Sequence, residues 1–340
     1  RPETRKNEVV TFVKSGLKDL SISRSTFDWG VPLPFDEGHV AYVWADALLA
    51  YLTGIGYGDE QRAGEFEQRW PMQYHFVGKD ITRFHCVIWP AMLMAAGLPI
   101  THTVFGHGFL LTKGEKMSKS LGNGLKPADL VKIFGVDAYR YYFMSDVQFG
   151  HDGNISRERM VQVYNADLAN TWGNLCSRVF NMTKKYFDGK VPEVPADAAA
   201  RVANPMLPIA EALYAKYDAC LGQVDFTGAA AAVQELAGRV NLYVEESAPW
   251  NLAKKEETAG DLAAVIYNAL EAIRIIALYM APFMPNTSNE VFDRLSLGKV
   301  TDVVDVEGAT KWGQLSVGNA VTVGDPLFPR LNMDEIQIEE

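Results

Sequence analysis

The segment of this chain with the clearest chemistry combines two lysines and two hydroxyl side chains within five positions. It reads Lys116-Met117-Ser118-Lys119-Ser120, with glycines close by on both sides. Glycine-flanked backbone moves easily, and ammonium groups on long stems stabilise the charge that builds up on departing polyphosphate. The spacing predicts a loop that holds nucleotide phosphates, with Lys119 first and Lys116 second as catalytic cations. The alternative is a solvated Lys/Ser turn.

The segments that lead into this loop alternate between strand and helix patterns. Strands are predicted over Tyr74–Gly78 and 104–111, with a helix over 81–96 between them. Such a unit predicts an α/β fold with parallel strands and a right-handed crossover. Ligands in these sheets bind beyond the carboxyl ends of the strands, so the nucleotide is expected near Gly78-Lys79-Asp80 and Gly106-His107-Gly108. Asp80 could instead be a helix N-cap.

Aromatic and histidine side chains recur at helical spacing in two segments. One helix face carries Trp44, Ala47, Leu48 and Tyr51, and another carries Ile81, His85 and Trp89. Core packing explains many such stripes. Tryptophan, tyrosine and histidine, however, have polar tips that need partners when buried, and sulfur makes favourable contacts with aromatic rings. The two faces predict a slot that suits an unbranched thioether.

From residue 156 onward the pattern is helical, which predicts an all-α helix bundle. Helices are expected over 156–187, 209–221, 226–246, 259–280 and 287–295, with a proline-bearing connector over 190–208. The tail is expected to be extended and to pack back on the body.

One polar ridge is expected on the long helix of this bundle. Asn170, Asn174 and Arg178 recur every four residues, and Ala248-Pro249-Trp250 places a tryptophan after a helix break. Asparagine and arginine read base edges, and an exposed indole can stack on an unpaired base. The ridge predicts single-stranded RNA recognition, with a solvated helix face as the alternative.

The composition limits the remaining possibilities. The chain has 340 residues, a net charge of −10 and three cysteines without a C-x-x-C pair. We therefore do not expect a generic polyanion binder, a disulfide framework or a structural zinc within this chain. We expect a protein of the reducing cytoplasm. No apolar run reaches membrane-spanning length, so no membrane association is expected.

Together these strings resemble the methionyl-tRNA synthetases, a family of class I synthetases, over essentially the whole chain. The resemblance lies in Tyr42-Val43-Trp44, in 75–81, in Phe84-His85, in 89–93 and in 116–120. It continues in Asn174-Leu175, Ser177-Arg178 and Ala248-Pro249-Trp250. It implies the second half of a Rossmann-type catalytic domain followed by a helical anticodon-binding bundle. The implied activity is ATP-dependent formation of methionyl-adenylate and transfer of methionine to tRNA(Met).

The resemblance also implies roles for individual residues. Methionine would contact Trp44, Ala47, Leu48, Tyr51, Ile81, His85 and Trp89. ATP would contact Gly78, Asp80, His107, Gly108, Leu110, Lys116, Met117, Ser118, Lys119 and Ser120. The anticodon would contact Asn170, Asn174, Arg178, Pro249 and Trp250. Magnesium is expected to accompany ATP, although no ligand set for it is legible.

One departure from the family is large. The HIGH-type histidine motif and the half of the nucleotide fold that carries it are absent, and the chain does not begin with methionine. We therefore expect the carboxy-terminal portion of a longer enzyme, inactive without its amino-terminal half. The expected domains are the end of a connective insertion (1–30), half of the catalytic domain (31–112), the KMSKS loop and stem-contact region (113–155), the bundle (156–300) and the tail (301–340).

Two rival interpretations stay open at this point. One is a class I synthetase for leucine, isoleucine or valine, although two tryptophans and a histidine in one slot favour methionine. The other is a non-catalytic tRNA-binding protein with a synthetase-like body, which the absent half supports and the intact lysine loop opposes.

Overall fold

The chain divides into two compact units. The first comprises Arg1–Phe109 and Gly150–Asp152, and the second comprises Leu110–Phe149 and Gly153–Glu340. The computed structural model describes residues 1–117 and 124–335.

The first unit combines short helices with two small sheets. Its elements are α1 (Glu3–Lys14), β1 (Ser23–Arg24), β2 (Pro32–Leu33), β3 (Asp36–Ala41), α2 (Val43–Ala47), α3 (Ala50–Thr53), α4 (Ala63–Arg69), β4 (Tyr74–Gly78), α5 (Trp89–Ala95) and β5 (Thr103–His107). β3 lies between β1 and β2 in an antiparallel sheet. β4 and β5 pair in parallel, as the sequence predicted, with Gly78 opposite His107.

The predicted helix over 81–96 exists but is not uniform. It begins as a 3-10 turn (Lys79–Ile81), widens to a π-helix (Phe84–Ile88) and ends as α5. Pro90 lies in the first turn of α5. Proline has no N–H and its ring crowds the preceding turn, which explains the widened helix before it.

The aromatic segment that ends at Tyr51 forms two short helices. A turn at Leu48 and Leu49 separates α2 from α3, although both residues keep right-handed helical backbone angles. Leu48 is 1% exposed and packs with Leu52, Trp70 and Trp89 in the apolar core of this unit. Positions 44, 47, 48 and 51 therefore do not lie on one regular helix.

The second unit is mostly helical. Its elements are β6 (Leu110–Thr112), β7 (Glu115–Lys116), α6 (Pro127–Phe134), α7 (Val136–Ser145), β8 (Gly153–Asn154), α8 (Arg157–Val163), α9 (Asn174–Phe187), α10 (Ala196–Arg201), α11 (Leu207–Gly222), α12 (Phe226–Ser247), α13 (Pro249–Leu252), α14 (Ala259–Met280), α15 (Pro285–Arg294) and α16 (Val306–Ala309). A π-helix (Tyr164–Gly173) joins α8 to α9, where one regular helix was predicted.

α14 is the central helix of the second unit. Its residues from Leu262 to Met280 are buried except at Tyr267 and Asn268, and they pack against α9, α10, α12 and α15. Among the described residues, the one helix long and apolar enough to cross a membrane is Glu256–Met280, and 94% of its apolar window is buried inside the protein. The buried core helix of a globular protein can have the same length and apolar composition.

The single strand predicted over 104–111 is divided between β5 and β6. At Gly108 a β-carbon would lie 2.2 Å from the carbonyl carbon and oxygen of His151. Only glycine allows this close backbone approach, which separates the two strands. β6 then pairs with β7 and β8 in a small sheet.

The described part of the tail lies against the bundle with little regular structure beyond α16 and short 3-10 turns. The amide of Asn165 exchanges two hydrogen bonds with the backbone of Leu331, at 2.8 and 3.0 Å. Phe328 is buried and meets the ring of Tyr164 edge-on at 5.8 Å.

Candidate functional site

The carboxyl ends of β4 and β5 bring four of the predicted nucleotide-binding residues together. Gly78 and His107 are paired across the two strands. Gly108 comes directly after His107, and Asp80 lies two residues after Gly78. A β-carbon at Gly78 would lie 2.7 Å from the carboxylate of Asp80. The described structure gives this exposed carboxylate no hydrogen-bond partner, and Gly78 holds the N-cap position instead. The N-cap alternative for Asp80 was therefore wrong, and its carboxylate is available to a ligand.

An ion pair beside this edge was missed by the sequence reasoning. The ammonium of Lys79 lies 2.7 and 2.8 Å from the carboxylate oxygens of Asp152, which also accepts the backbone N–H of Phe109 at 2.8 Å. The hydrogen bond from Lys79, followed by the one from Phe109, lowers the pKa of Asp152. These bonds hold segment 150–152 against the turn after β4. Lys79 stood out in the sequence only as a neighbour of Asp80, and nothing in the spacing identified Asp152.

Three of the predicted amino-acid-binding residues converge in the first unit. The hydroxyl of Tyr51 lies 2.8 Å from Nε2 of His85, and the ring of Tyr51 lies 6.0 Å from that of Trp89. Nδ1 of His85 lies 3.0 Å from the carbonyl oxygen of Ile81. Because a carbonyl only accepts, Nδ1 carries the hydrogen of this bond, and Nε2 lies where it can accept the hydrogen bond of the Tyr51 hydroxyl. This chain of bonds fixes the orientation of both rings.

A fourth ring, His75 on β4, completes this group and was not predicted as a site residue. Its centroid lies 4.4 Å from that of Tyr51 and 5.8 Å from that of His85. Burial, followed by the charge of His85, lowers the pKa of His75 to about 4. We call Tyr51, His75, His85 and Trp89 the ring cluster. The sequence signals for His75 were its place in the predicted strand that ends at Gly78 and in the string 75–81 that carries the family resemblance.

The remaining predicted methionine contacts lie around the cluster or apart from it. Ile81 is half-buried, Ala47 is exposed, and Leu48 is part of the core. Trp44 stacks on Phe84 at 4.3 Å and lines a cavity of about 970 Å³, whereas His85 and Trp89 line another of about 350 Å³. The structure thus brings together Tyr51, His85 and Trp89 but places Trp44 on a different cavity.

The predicted phosphate-binding segment is described only at its start. Lys116 lies at the end of β7, and Met117 packs against the core of the second unit, as does Leu110 of β6. The side-chain amide oxygen of Asn154 accepts the N–H of Gly114 at 3.0 Å and holds the turn before Lys116. Ser118, Lys119 and Ser120 lie outside the described residues.

The predicted RNA-reading residues lie along one side of the second unit. Asn170 and Asn174 are exposed, and Arg178 is paired with Glu245 of α12 at 2.7 Å. The amide of Asn241, also on α12, donates to the carbonyl oxygen of Thr171 at 3.1 Å. These two contacts align the ridge with the carboxy-terminal half of α12, which leads directly to Trp250.

Trp250 is presented by a sharp change in chain direction. Ala248 adopts a left-handed conformation with φ of 42°, which ends α12, and buried Pro249 begins α13. The side chain of Trp250 remains 38% exposed. A buried proline with an exposed indole after it is a geometry that can present a ring for stacking.

The described residues contain neither a metal-binding group nor a disulfide. Across residues 1–117 and 124–335, no cluster of three or more histidine, cysteine, aspartate or glutamate side chains is arranged to hold a metal ion. Cys86, Cys176 and Cys220 are free thiols.

Comparison with known families explains both units. The family described as tRNA synthetases class I (M) matches residues 1–180, and the anticodon binding domain of methionyl tRNA ligase matches residues 194–339. The chain belongs to the class I tRNA synthetases of the M group. The predicted fold class, half of a class I catalytic domain followed by a helical anticodon-binding domain, is confirmed, as is the resemblance to methionyl-tRNA synthetases.

The particular relatives are methionine–tRNA ligases. The chain is 44% identical to the one from Caldanaerobacter subterraneus subsp. tengcongensis, over 98% of this chain and 52% of the relative. It is 48% identical to the one from Streptomyces coelicolor, over 97% of this chain and 62% of the relative. The Mycobacterium tuberculosis methionyl-tRNA synthetase in complex with methionyl-adenylate is 40% identical, with a TM-score of 0.87 over 97% of this chain and 64% of that structure. The chain spans roughly half to three fifths of the length of these relatives.

Proposed function

We propose that this chain works as part of a methionyl-tRNA synthetase. Methionine attacks the α-phosphate of ATP, which gives methionyl-adenylate and pyrophosphate, and the methionyl group then passes to the terminal ribose of tRNA(Met). The observation that carries the proposal is the ring cluster, which has an oriented hydroxyl and belongs to the same unit as the nucleotide edge of β4 and β5. The M. tuberculosis relative was solved with methionyl-adenylate, the product expected of such a site.

The amino-acid end of the site would recognise methionine by its shape and by its sulfur. Tyr51, His85 and Trp89 offer aromatic surface with one polar tip, and sulfur is favoured about 5 Å from aromatic rings. Ile81, Ala47 and Leu48 would supply apolar contacts, and Trp44 would close the slot after it leaves its stacked position on Phe84. Trp44 and Trp89 line different cavities in this structure, and the proposed movement would bring their rings to one slot.

The nucleotide end would hold ATP by its ribose and phosphates. The carboxylate of Asp80 accepts hydrogen bonds from ribose hydroxyls, and Gly78, His107 and Gly108 would contact the nucleotide at the carboxyl ends of β4 and β5. The backbone near Leu110 would contact adenine. Lys119 and Lys116, with Met117, Ser118 and Ser120, would meet the phosphates and stabilise the charge on departing pyrophosphate more than the charge of the ground state.

The second unit would bind the anticodon of tRNA(Met). Asn170 and Asn174 present amide groups that pair with base edges, and Trp250, positioned by Pro249, would stack on an unpaired base. Arg178 would exchange its carboxylate partner Glu245 for RNA or would hold the ridge in place through that pair.

Further components follow from this function. Magnesium would enter with the ATP phosphates, whose charge it shields, and none of the described residues is assigned to it. Zinc is not assigned to this chain. The part of the relatives that this chain does not match would supply the other half of the nucleotide fold. The three free thiols favour a cytoplasmic enzyme.

The test is methionine-dependent exchange of pyrophosphate into ATP. The experiment uses a chimera in which this chain is fused behind the part of the M. tuberculosis synthetase that the chain does not match. We call this chimera the reconstituted enzyme. We expect exchange from the reconstituted enzyme and none from the 340-residue chain alone. Exchange that depends on leucine, isoleucine or valine would contradict the proposal. Binding of tRNA without exchange would instead support a non-catalytic RNA-binding protein.

The lysine role has its own test in the same assay. Lys119→Ala should slow exchange about a hundredfold, because one charge contact at the reacting phosphates is lost, and should leave methionine affinity unchanged. Lys132→Ala, at an exposed lysine of α6, is the control. An unchanged exchange rate in Lys119→Ala would show that this lysine has no catalytic role.

A further inference from the structure

His75 is buried, unlike the residues directly before and after it on β4. Its side chain is 4% exposed, whereas Phe76, the next residue, is 52% exposed on the opposite face of the strand. The imidazole meets the ring of Tyr51 edge-on at 4.4 Å and approaches that of His85 at 5.8 Å. His75 therefore packs directly against the pair whose hydrogen bond defines the amino-acid end of the site.

Two polar atoms beside this pair lack partners. Nε2 of His75 and Nε1 of Trp89 are both buried, and neither has a hydrogen-bond partner in the described structure. Trp89 is 1% exposed, and its ring lies 6.0 Å from that of Tyr51, so both atoms belong to the surroundings of one tyrosine. Buried polar atoms in native proteins are almost always paired with protein or ordered water. A residue needed only for packing at this position would not carry such an atom.

We propose that His75 is a positioning residue of the amino-acid site and contributes to its preference for sulfur. Its ring holds Tyr51 in the orientation that donates to His85, and its Nε2 takes a hydrogen bond from water or substrate that enters the site. The inference rests on the proposed function, because it names a further determinant of methionine recognition.

The physical reason is the geometry of sulfur contacts. A thioether gains over a methylene group only when aromatic rings lie at the correct distance and angle, so small movements of Tyr51 reduce the gain. The rings of His75, His85 and Trp89 lie 4.4, 5.6 and 6.0 Å from the ring of Tyr51, and His75 is the nearest of the three. The lowered pKa of His75 keeps its ring neutral near pH 7, so Nε2 can donate or accept.

The test compares methionine with norleucine, which has a methylene group in place of sulfur. In the reconstituted enzyme, His75→Phe keeps a ring but removes both nitrogens, and His75→Asn keeps a polar group but removes the ring. Tyr74→Phe, at the preceding position on β4, is the matched control. The readouts are kcat and KM for each amino acid in pyrophosphate exchange.

We expect both His75 variants to raise the KM for methionine about tenfold, to change kcat less than threefold, and to lower the methionine-to-norleucine ratio of kcat/KM about fivefold. A ratio within twofold of wild type in either folded variant would assign His75 a purely structural role and overturn the inference. If wild type itself shows no methionine-dependent exchange, the proposed function fails and the inference fails with it.

A second measurement does not depend on the variants folding. In reconstituted enzyme labelled with ¹⁵N-histidine, the Nε2 resonance of His75 should shift when methionine is added, because its hydrogen-bond partner changes. The His102 resonance, from an exposed ring, serves as the internal control. No shift at saturating methionine would overturn the inference.

Discussion

The two units of this chain differ in how completely each one covers its own apolar side chains. The second unit has one continuous core, in which α14 is buried over most of its length. The first unit has a small core around Leu48 and Trp89, and it leaves Trp29, Phe35 and Val31 exposed at 87%, 76% and 71%. Large exposed apolar side chains mark surfaces that other groups cover.

The buried carboxylate of Glu271 and the buried ring nitrogens of the ring cluster differ in their hydrogen bonding. In the second unit the carboxylate of Glu271 is 0% exposed, and it accepts hydrogen bonds from Arg274 and from three successive backbone N–H groups. In the first unit, Nε2 of His75 and Nε1 of Trp89 are left without partners. Some hydroxyls of the second unit, such as that of Thr112, lack partners as well, so the contrast is between these two groups of residues and not between all buried polar atoms.

The largest predicted effect concerns the buried ion pair between Glu271 and Arg274 in the second unit. Glu271→Gln should destabilise it by about 3 kcal/mol or more, because the Arg274 guanidinium, which is 4% exposed, loses its counter-charge. Hydrogen exchange read by mass spectrometry should show faster exchange in α14 and in residues 313–315. The control is Glu235→Gln, which breaks the exposed pair with Lys216 and should cost less than about 1 kcal/mol. Equal effects of the two variants would show that burial gives the Glu271–Arg274 pair no greater contribution to stability than an exposed pair has.

The next effect is a pH dependence located in the first unit. The pKa of His75 falls from 6.5 to about 4 on folding, so the unfolded chain binds more protons between these values. Stability therefore rises with pH across this window and is lost as the pH falls from about 6.5 toward 4, by about 2 to 3 kcal/mol. His75→Phe should remove this part of the pH dependence of the unfolding free energy, measured by urea unfolding with tryptophan fluorescence. His102→Gln should retain it. An unchanged slope in His75→Phe would show that the ring is not held neutral.

A third effect separates the two units by function. Trp250→Ala should weaken tRNA charging by the reconstituted enzyme about tenfold, since stacking on one base contributes about 1–3 kcal/mol, and should leave pyrophosphate exchange intact. Val304→Ala, at a 96% exposed position of the second unit, should change neither activity. Equal loss of both activities in Trp250→Ala would indicate a structural role for the indole.

The smallest effect concerns one hydroxyl in the ring cluster. Tyr51→Phe removes the hydrogen bond to His85 and should raise the KM for methionine by about five- to tenfold, which corresponds to about 1 kcal/mol. Tyr57→Phe makes the same change at a tyrosine that is 43% exposed and should have no effect. Wild-type KM in Tyr51→Phe would remove the hydroxyl from methionine recognition.

Much of the architecture could be predicted from local patterns. Apolar periodicity identified the strand Tyr74–Gly78 and the helix Ala259–Met280 with the bounds that the structure gives. The boundaries were wrong where contacts distant in sequence decide them. β5 ends before Gly108 because His151, far along the chain, occupies the space a side chain would need. The helix before α5 widens because of a proline whose effect on the preceding turn was not considered.

The candidate site was only partly predicted, because some of its contacts also join residues that are distant in sequence. Tyr51, His85 and Trp89 converge as helical spacing indicated, whereas the break at Leu48 and the stacking of Trp44 on Phe84 place Trp44 elsewhere. Their roles, like those of the anticodon residues and the domain boundaries, stay predictions.

The sequence by itself determined the family, the order of an α/β half and a helical half, and the residue types that carry the chemistry, because motif strings and periodicity are local properties of the chain. Only the tertiary structure decided that His75 joins the ring cluster and that Lys79 pairs with Asp152. These contacts join residues far apart in sequence, and no local pattern encodes which distant side chain will fill a given space or neutralise a given charge.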